Sequence, residues 1–184
     1  MMLVIYGPTA TGKTGLAITL AKKYNGEILS ADSRQVYKGL DITTGKVSFD
    51  SKVEKHSGYW IVDGVRINGF DIKDPSQQFT AADFLKFAHT SLIRIRVAEK
   101  LPIVVGGTGF YIKALIEPID SIGIPANPKL RGNLQKLSVQ ELFQKLSSIN
   151  SQKAKSMNRS DRKNPRRLIR AIEIALSFKK KITT

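Results

Sequence analysis

Residues 7–14 read GPTATGKT, a full match to the pattern G-x-x-x-x-G-K-[ST], and a chain with this motif in its proper setting has few folds open to it. The setting is present. An apolar run, MMLVIYG, leads into the loop, and a helical pattern, LAITLAKKY, follows it. Strand, glycine loop and helix in that order aim successive backbone N–H groups, and the unpaired N–H groups of the first helical turn, into one concavity that favours an anion. Gly7 and Gly12 permit conformations and approaches that a Cβ blocks. Pro8, Thr9, Ala10 and Thr11 complete the loop, Lys13 adds a positive charge toward phosphates, and Thr14 offers a hydroxyl to Mg²⁺. A di- or triphosphate ligand is expected here.

The rest of the first third extends this into a βαβ unit with a right-handed crossover. Leu16, Leu20 and Tyr24 fall on one side of the first helix with Ala17 and Ala21 beside them, and Asn25-Gly26 stops it. EILSAD is a second short strand ending at Asp32. Further on, GYWIVDGVRINGFDI holds two β-rich runs around Asp63-Gly64, a two-residue hairpin signal, expected as a small hairpin or an excursion from the main sheet. Thr80 reads as an N-cap with Asp83 as its reciprocal partner, and Phe84, Ala88, Leu92 and Ile95 form a helical apolar stripe. LPIVVGGTG repeats the logic of the first strand, and FYIKALIE starts another helix.

IPANPK marks a shift in composition. Beyond it, Leu130, Leu134, Leu137, Leu142 and Leu146 predict one or two thin amphipathic helices. KAKSMNRSDRKN is polar and basic, PRRLIRAIEIAL is a helix with Pro165 in its first turn, and FKKKITT is expected to fray. The fold class is α/β: a parallel sheet of the P-loop nucleotide-kinase type, flanked by helices. Residues 1–125 and 165–184 are expected to form the core, with a small helical insertion at 126–164.

Hydrophobic residues at 41% and charged residues at 24% suit a globular chain. No apolar run approaches the roughly 20 residues needed to span a bilayer. MMLVIYG is short, lacks a basic leader and reads as a strand rather than a signal peptide. The chain has no cysteine, which removes disulfides and thiolate chemistry and fits a cytoplasmic setting. The 30 Lys+Arg against 15 Asp+Glu give +15 at pH 7, with a pI near 10.1. Such an excess attracts polyanions, nucleic acid foremost, although a solvated lysine-rich surface gives the same number. Much of the excess lies after Lys129, where acids are few.

Two further positions bear on chemistry. Asp32 ends a strand of the βαβ unit, where open α/β sheets place ligands, and its carboxylate can hold Mg²⁺ through water, take a proton, or simply cap the next turn. GGTG at 106–109 ends another buried strand on the same rim, so that Thr108 can donate to a developing charge, or the glycines can serve a structural turn. His56 and His89 lack ligand spacing, Trp60 reads as packing, and Lys179, Lys180 and Lys181 read as a solvated tail. Two classes stay open on these grounds: a small-molecule or nucleotide kinase, and an enzyme that transfers a group to nucleic acid.

GPTATGKT, SADSRQVYKGLDITTGK, FTAADF, LPIVVGGTGFYIKAL and NPRRLIRAIEI, in that order, resemble the tRNA dimethylallyltransferases across nearly the whole chain. The resemblance implies transfer of a prenyl group from dimethylallyl diphosphate to N6 of an adenine beside the tRNA anticodon, by a cytoplasmic monomer that needs Mg²⁺. An ATP-binding label on the loop would rest on the motif alone. Residue by residue, it implies that Lys13 and the loop amides hold the diphosphate with Thr14 on Mg²⁺, and that Asp32 is the general base toward the adenine amine. Ser33, Arg34 and Gln35 would line the base, and Thr108 would sit near the reacting centre. Arg131 and the run Arg166, Arg167, Leu168, Ile169 and Arg170 would meet the anticodon stem-loop. Two departures stand out. VRINGFDIKDP replaces a histidine-rich stretch of the family, and the chain stops soon after RRLIRAIEI, where members continue with further arginines near the diphosphate. A catalytically impaired tRNA-binding remnant is the alternative this raises.

Overall fold

The computed structural model describes residues 1–117 and 119–182, the last three by backbone alone. Two compact units divide at Ile119 and Asp120.

In the first unit, strands β1 (Leu3–Tyr6), β2 (Gly26–Ser30), β3 (Val53–His56), β4 (Tyr59–Val62), β5 (Val65–Asn68) and β6 (Leu101–Gly106) form one sheet in the order β1-β6-β2-β5-β4-β3. The first four strands of that order run parallel, and β4 and β3 are added antiparallel. The sheet is therefore mixed, where a parallel one was expected. The reason is the predicted hairpin: Asp63 (φ 50°) and Gly64 (φ 81°) both take left-handed conformations, which turn the chain tightly back between β4 and β5. Because β5 also pairs with β2, the hairpin becomes the flank of the main sheet. β3, VEKH, carries almost no apolar signal and forms a charged edge.

Helix α1 (Lys13–Lys23) covers one face of this sheet, and α2 (Ala81–Val97) and α3 (Gly109–Ile116) cover the other. The period-2 alternation of strands assigns the sides: Ile28 and Ile103 pack with Ala17, Ala21 and Trp60, while Leu29 and Val104 pack with Phe84, Ala88 and Tyr111. The stripe expected on α1 is corrected. Leu16 and Tyr24 are each half exposed, and it is Ala17 and Ala21 that are buried, because small residues let the helix lie close to the sheet. The α2 stripe and the Thr80–Asp83 capping box form as the spacing predicts.

The second unit contains a short 3₁₀ turn (Asp120–Gly123), then α4 (Pro128–Leu134), α5 (Val139–Ile149), α6 (Ser151–Ser156), α7 (Arg159–Arg162) and α8 (Pro165–Ile182). Leu134, Leu142, Leu146, Met157, Leu168 and Ile172 form its core. The division expected at 126 and 165 is thus revised: α8 clusters with the second unit because Leu168 and Ile172 pack on the leucines of α4 and α5. The stretch read as polar and basic folds as α6 and α7, each started by an asparagine cap, Asn150 on the Lys153 N–H and Asn158 on the Asp161 N–H. Helix α8 runs through Ile182, into the stretch expected to fray. Thr183 and Thr184, and the side chains of Lys180 and Lys181, lie outside the described residues.

Candidate functional site

Three turns leave the carboxyl ends of β1, β2 and β6 on one rim, as the parallel register of these strands requires. Their meeting point is Gly107. A Cβ there would lie 3.7 Å from Asp32 Oδ2, 3.7 Å from the Gly7 carbonyl and 3.9 Å from Thr9 Oγ1. Next to it, a Cβ on Gly106 would overlap the Ala31 carbonyl, so the strand can pass only as glycine. The cleft beside this point has a volume of about 330 Å³ and is lined by the loop from Thr9 to Gly15, by Asp32 and Gln35, and by Gly106 and Gly107.

The loop between β1 and α1 is tightly wound. Ala10 (φ 63°) and Gly12 (φ 78°) are left-handed, and Gly12 begins α1 without a side-chain cap, leaving the positive end of the helix to the cleft. Thr11 Oγ1 donates to the Pro8 carbonyl at 2.9 Å. Lys13 Nζ donates to the same carbonyl and approaches Thr11 Oγ1 at 3.3 Å, so its ammonium lies folded along the loop.

The two oxygens of Asp32 have different surroundings. Oδ1 accepts the Arg34 N–H at 2.9 Å, which caps the turn, and Oδ2 faces the Gly107 junction. Thr108 Oγ1 accepts the Ser33 N–H at 2.9 Å and stands 3.2 Å from Ser33 Oγ. Gln35 is committed on both ends of its amide: Oε1 accepts from Ser30 Oγ at 2.8 Å, and Nε2 donates to the carbonyls of Thr44 (3.2 Å) and Gly45 (3.4 Å). Arg34 is exposed.

Sequence reasoning missed the facing wall. Thr44, Gly45, Val47, Ser48 and Phe70 also line the cleft. The first four lie in or beside ITTGK, a stretch quoted for its resemblance but given no role, and nothing in its pattern marks it as a cleft wall.

In the second unit the expected RNA-facing residues separate. Leu168 and Ile169 are buried in the helical core, so their side chains cannot meet an RNA, and that expectation is withdrawn. Arg131 forms a two-pronged pair with Glu173, Nε to Oε1 at 3.0 Å and Nη2 to Oε2 at 2.8 Å. Arg170 joins the same carboxylate and donates to the carbonyls of Ser121 (3.0 Å) and Ile124 (2.8 Å). Burial pushes the Glu173 carboxyl up, but the bonds from Arg131, the Asn127 N–H and Arg170 outweigh it and hold the pKa down to about 2. Arg167 pairs with Asp161, and Arg166 is exposed.

For a divalent cation, the described residues hold no cluster of three or more carboxylate or histidine ligands. Thr14 and Asp32 in the cleft suit Mg²⁺ held by one hydroxyl, waters and the ligand's own phosphates. Among the described residues, no helix is long and apolar enough to cross a membrane.

Comparison with known proteins decides the family. The family model described as IPP transferase matches residues 35–184. The chain belongs to that family. Among IPP transferase relatives, the tRNA dimethylallyltransferase of Halalkalibacterium halodurans is 39% identical over 186 residues, covering 99% of this chain and 55% of its own length. That of Anoxybacillus flavithermus is 39% identical over 173 residues, covering 94% and 51%. The crystal structure of the full-length tRNA isopentenylpyrophosphate transferase from Bacillus halodurans superposes with a TM-score of 0.58 at 40% identity, covering 94% of this chain and 54% of that one. A eukaryotic dimethylallyltransferase captured acting on tRNA gives 0.73 at 25% identity, covering 97% and 44%. The chain thus spans about half the length of the curated relatives it matches.

Proposed function

We propose that the cleft transfers a dimethylallyl group from dimethylallyl diphosphate to N6 of an adenine beside the anticodon of tRNA. The observation that carries this reading is the junction at Gly107, where the phosphate loop and the Asp32 carboxylate meet within reach of one small molecule, in a chain of this family.

The chemistry follows from the residues. An exocyclic adenine amine is a weak nucleophile, and cleavage of an allylic diphosphate builds positive charge on carbon and negative charge on oxygen. Loop amides, the amino end of α1 and Lys13 stabilise the departing diphosphate. Thr14 would hold a Mg²⁺ ion there, which when bound would supply further charge neutralisation. As the new C–N bond forms and the C–O bond to diphosphate breaks, the amine proton passes to Asp32 Oδ2, whose partner oxygen is held by the Arg34 N–H. The adenine must leave its stack to reach this rim, and exposed cations such as Arg34 offer phosphate contacts that hold the RNA meanwhile.

The test uses two anticodon stem-loops, one with adenine at the acceptor position and one with inosine, which lacks the N6 amine. Incubation with dimethylallyl diphosphate and Mg²⁺, followed by nucleoside mass spectrometry, is expected to show a prenylated adenosine in the first RNA alone. Product in both RNAs, or in neither, contradicts the reading.

A further inference from the structure

Lys46 is fully buried, and its ammonium donates to Asp41 Oδ1 at 2.7 Å, Asp71 Oδ1 at 2.6 Å and the Tyr37 carbonyl at 2.8 Å. All three of its donors are used. The second oxygen of Asp41 takes Lys55 Nζ at 2.6 Å, and that of Asp71 takes Trp60 Nε1 at 2.7 Å. Asp71 is itself left-handed, at φ 53°. An ion cluster built around a buried lysine adds little net stability over apolar side chains of equal volume, because desolvation offsets the attraction. What it does fix is position.

The position it fixes is the cleft wall. Gly45 and Val47, on either side of Lys46, line the cleft, as does Phe70 next to Asp71. Gln35 reaches across to the carbonyls of Thr44 and Gly45, so the orientation of its amide depends on the backbone that Lys46 anchors. None of these bonds touches residues 7–14.

We propose that Lys46 is a positioning residue for the acceptor side of the cleft: its cluster with Asp41 and Asp71 sets the 44–48 wall and, through it, Gln35, while leaving the phosphate loop alone. This rests on the reading that the Gln35 side of the cleft receives the RNA base. The cluster acts on the acceptor and not on the diphosphate.

Lys46→Met and Lys46→Arg test this against Lys100→Met. Lys100 belongs to another ion cluster, on Glu27 at the far end of β2, where it pairs at 2.9 Å. Arginine at 46 keeps the charge but replaces the three-donor ammonium with a planar fork. Each variant is measured below its own melting midpoint, with emission of Trp60, the chain's one tryptophan, reporting the cluster. The expected result in either Lys46 variant is a Trp60 emission shift, a KM for the stem-loop raised about tenfold, the equivalent of one lost hydrogen bond, and an unchanged affinity for inorganic pyrophosphate. Lys100→Met is expected to change neither affinity. Should wild type transfer nothing, stem-loop affinity by direct titration replaces KM, so that failure of the reaction is separable from failure of the positioning role. Equal loss of pyrophosphate and stem-loop binding, an unchanged stem-loop affinity, or a chain that folds with neither replacement would each overturn the proposal.

Discussion

The Thr108 hydroxyl accepts the backbone N–H of Ser33 at 2.9 Å, joining the turn after β6 to the turn after β2 across 75 positions of sequence. Asp32, the neighbour of Ser33, is thereby held between two anchors, this bond and its own on the Arg34 N–H. Thr108→Val keeps the shape and removes the acceptor. A stability loss of about 1 kcal/mol is expected, since Ser33 is only half-buried. Transfer should fall by about 10²-fold as Asp32 loses its alignment. Thr108→Ser should restore most of both, as read by thermal melting and single-turnover rates.

Asp32→Asn separates base from scaffold. The amide oxygen can still accept the Arg34 N–H, so the melting temperature and stem-loop affinity should stay near wild type. Loss of the proton acceptor should lower transfer by about 10²–10⁴-fold. Transfer by the Asp32→Asn variant at the wild-type rate would remove Asp32 from the mechanism.

Adjacent glycines should behave oppositely. Gly106→Ala drives a methyl into the Ala31 backbone and should cost about 3 kcal/mol or more. Gly107→Ala meets only ordinary contacts of 3.7–3.9 Å and should fold normally. Its methyl nevertheless occupies the junction of Gly7, Thr9 and Asp32, so donor affinity should drop while stability holds. Denaturant titration and pyrophosphate binding on both variants distinguish the two effects.

Glu173 gives the second unit a pH signature. Its folded pKa, about 2, lies below the ordinary 4.5, so its contribution is complete above about pH 4.5 and is lost as pH falls toward 2. The contribution is roughly 3 kcal/mol. Wild type should therefore exceed Glu173→Gln in stability at pH 6, with the gap closing steadily between pH 4.5 and 2, as followed by amide exchange in α4 and α8.

The parts of this molecule that could be read from sequence are those with local causes. GPTATGKT, the Asp63-Gly64 turn, the Thr80–Asp83 cap and the Pro165 helix start each depend on a few neighbouring residues, and each forms as its chemistry requires. Where tertiary packing decides, local signal misleads. Leu16 and Tyr24 are the larger side chains, yet the sheet takes Ala17 and Ala21 because they allow close approach. Nothing local marks Lys46 as buried, because its partner Asp71 lies 25 positions away. Arg131 likewise carries no local sign of its pairing with Glu173, which lies 42 positions away. Asp32 and Thr108 were legible as strand-end residues, whereas the bond that ties Thr108 to Ser33 depends on β2 and β6 pairing side by side.

The central claim is tested most directly by single-turnover transfer from labelled dimethylallyl diphosphate to an anticodon stem-loop by this 184-residue chain, with and without Lys13→Ala. Wild type is expected to yield labelled RNA in a Mg²⁺-dependent reaction. The variant, whose loop no longer neutralises the leaving diphosphate, is expected to lose about 10²-fold or more of that rate. Undiminished transfer by Lys13→Ala, or phosphoryl transfer from ATP to a small molecule in the absence of RNA, would contradict the claim.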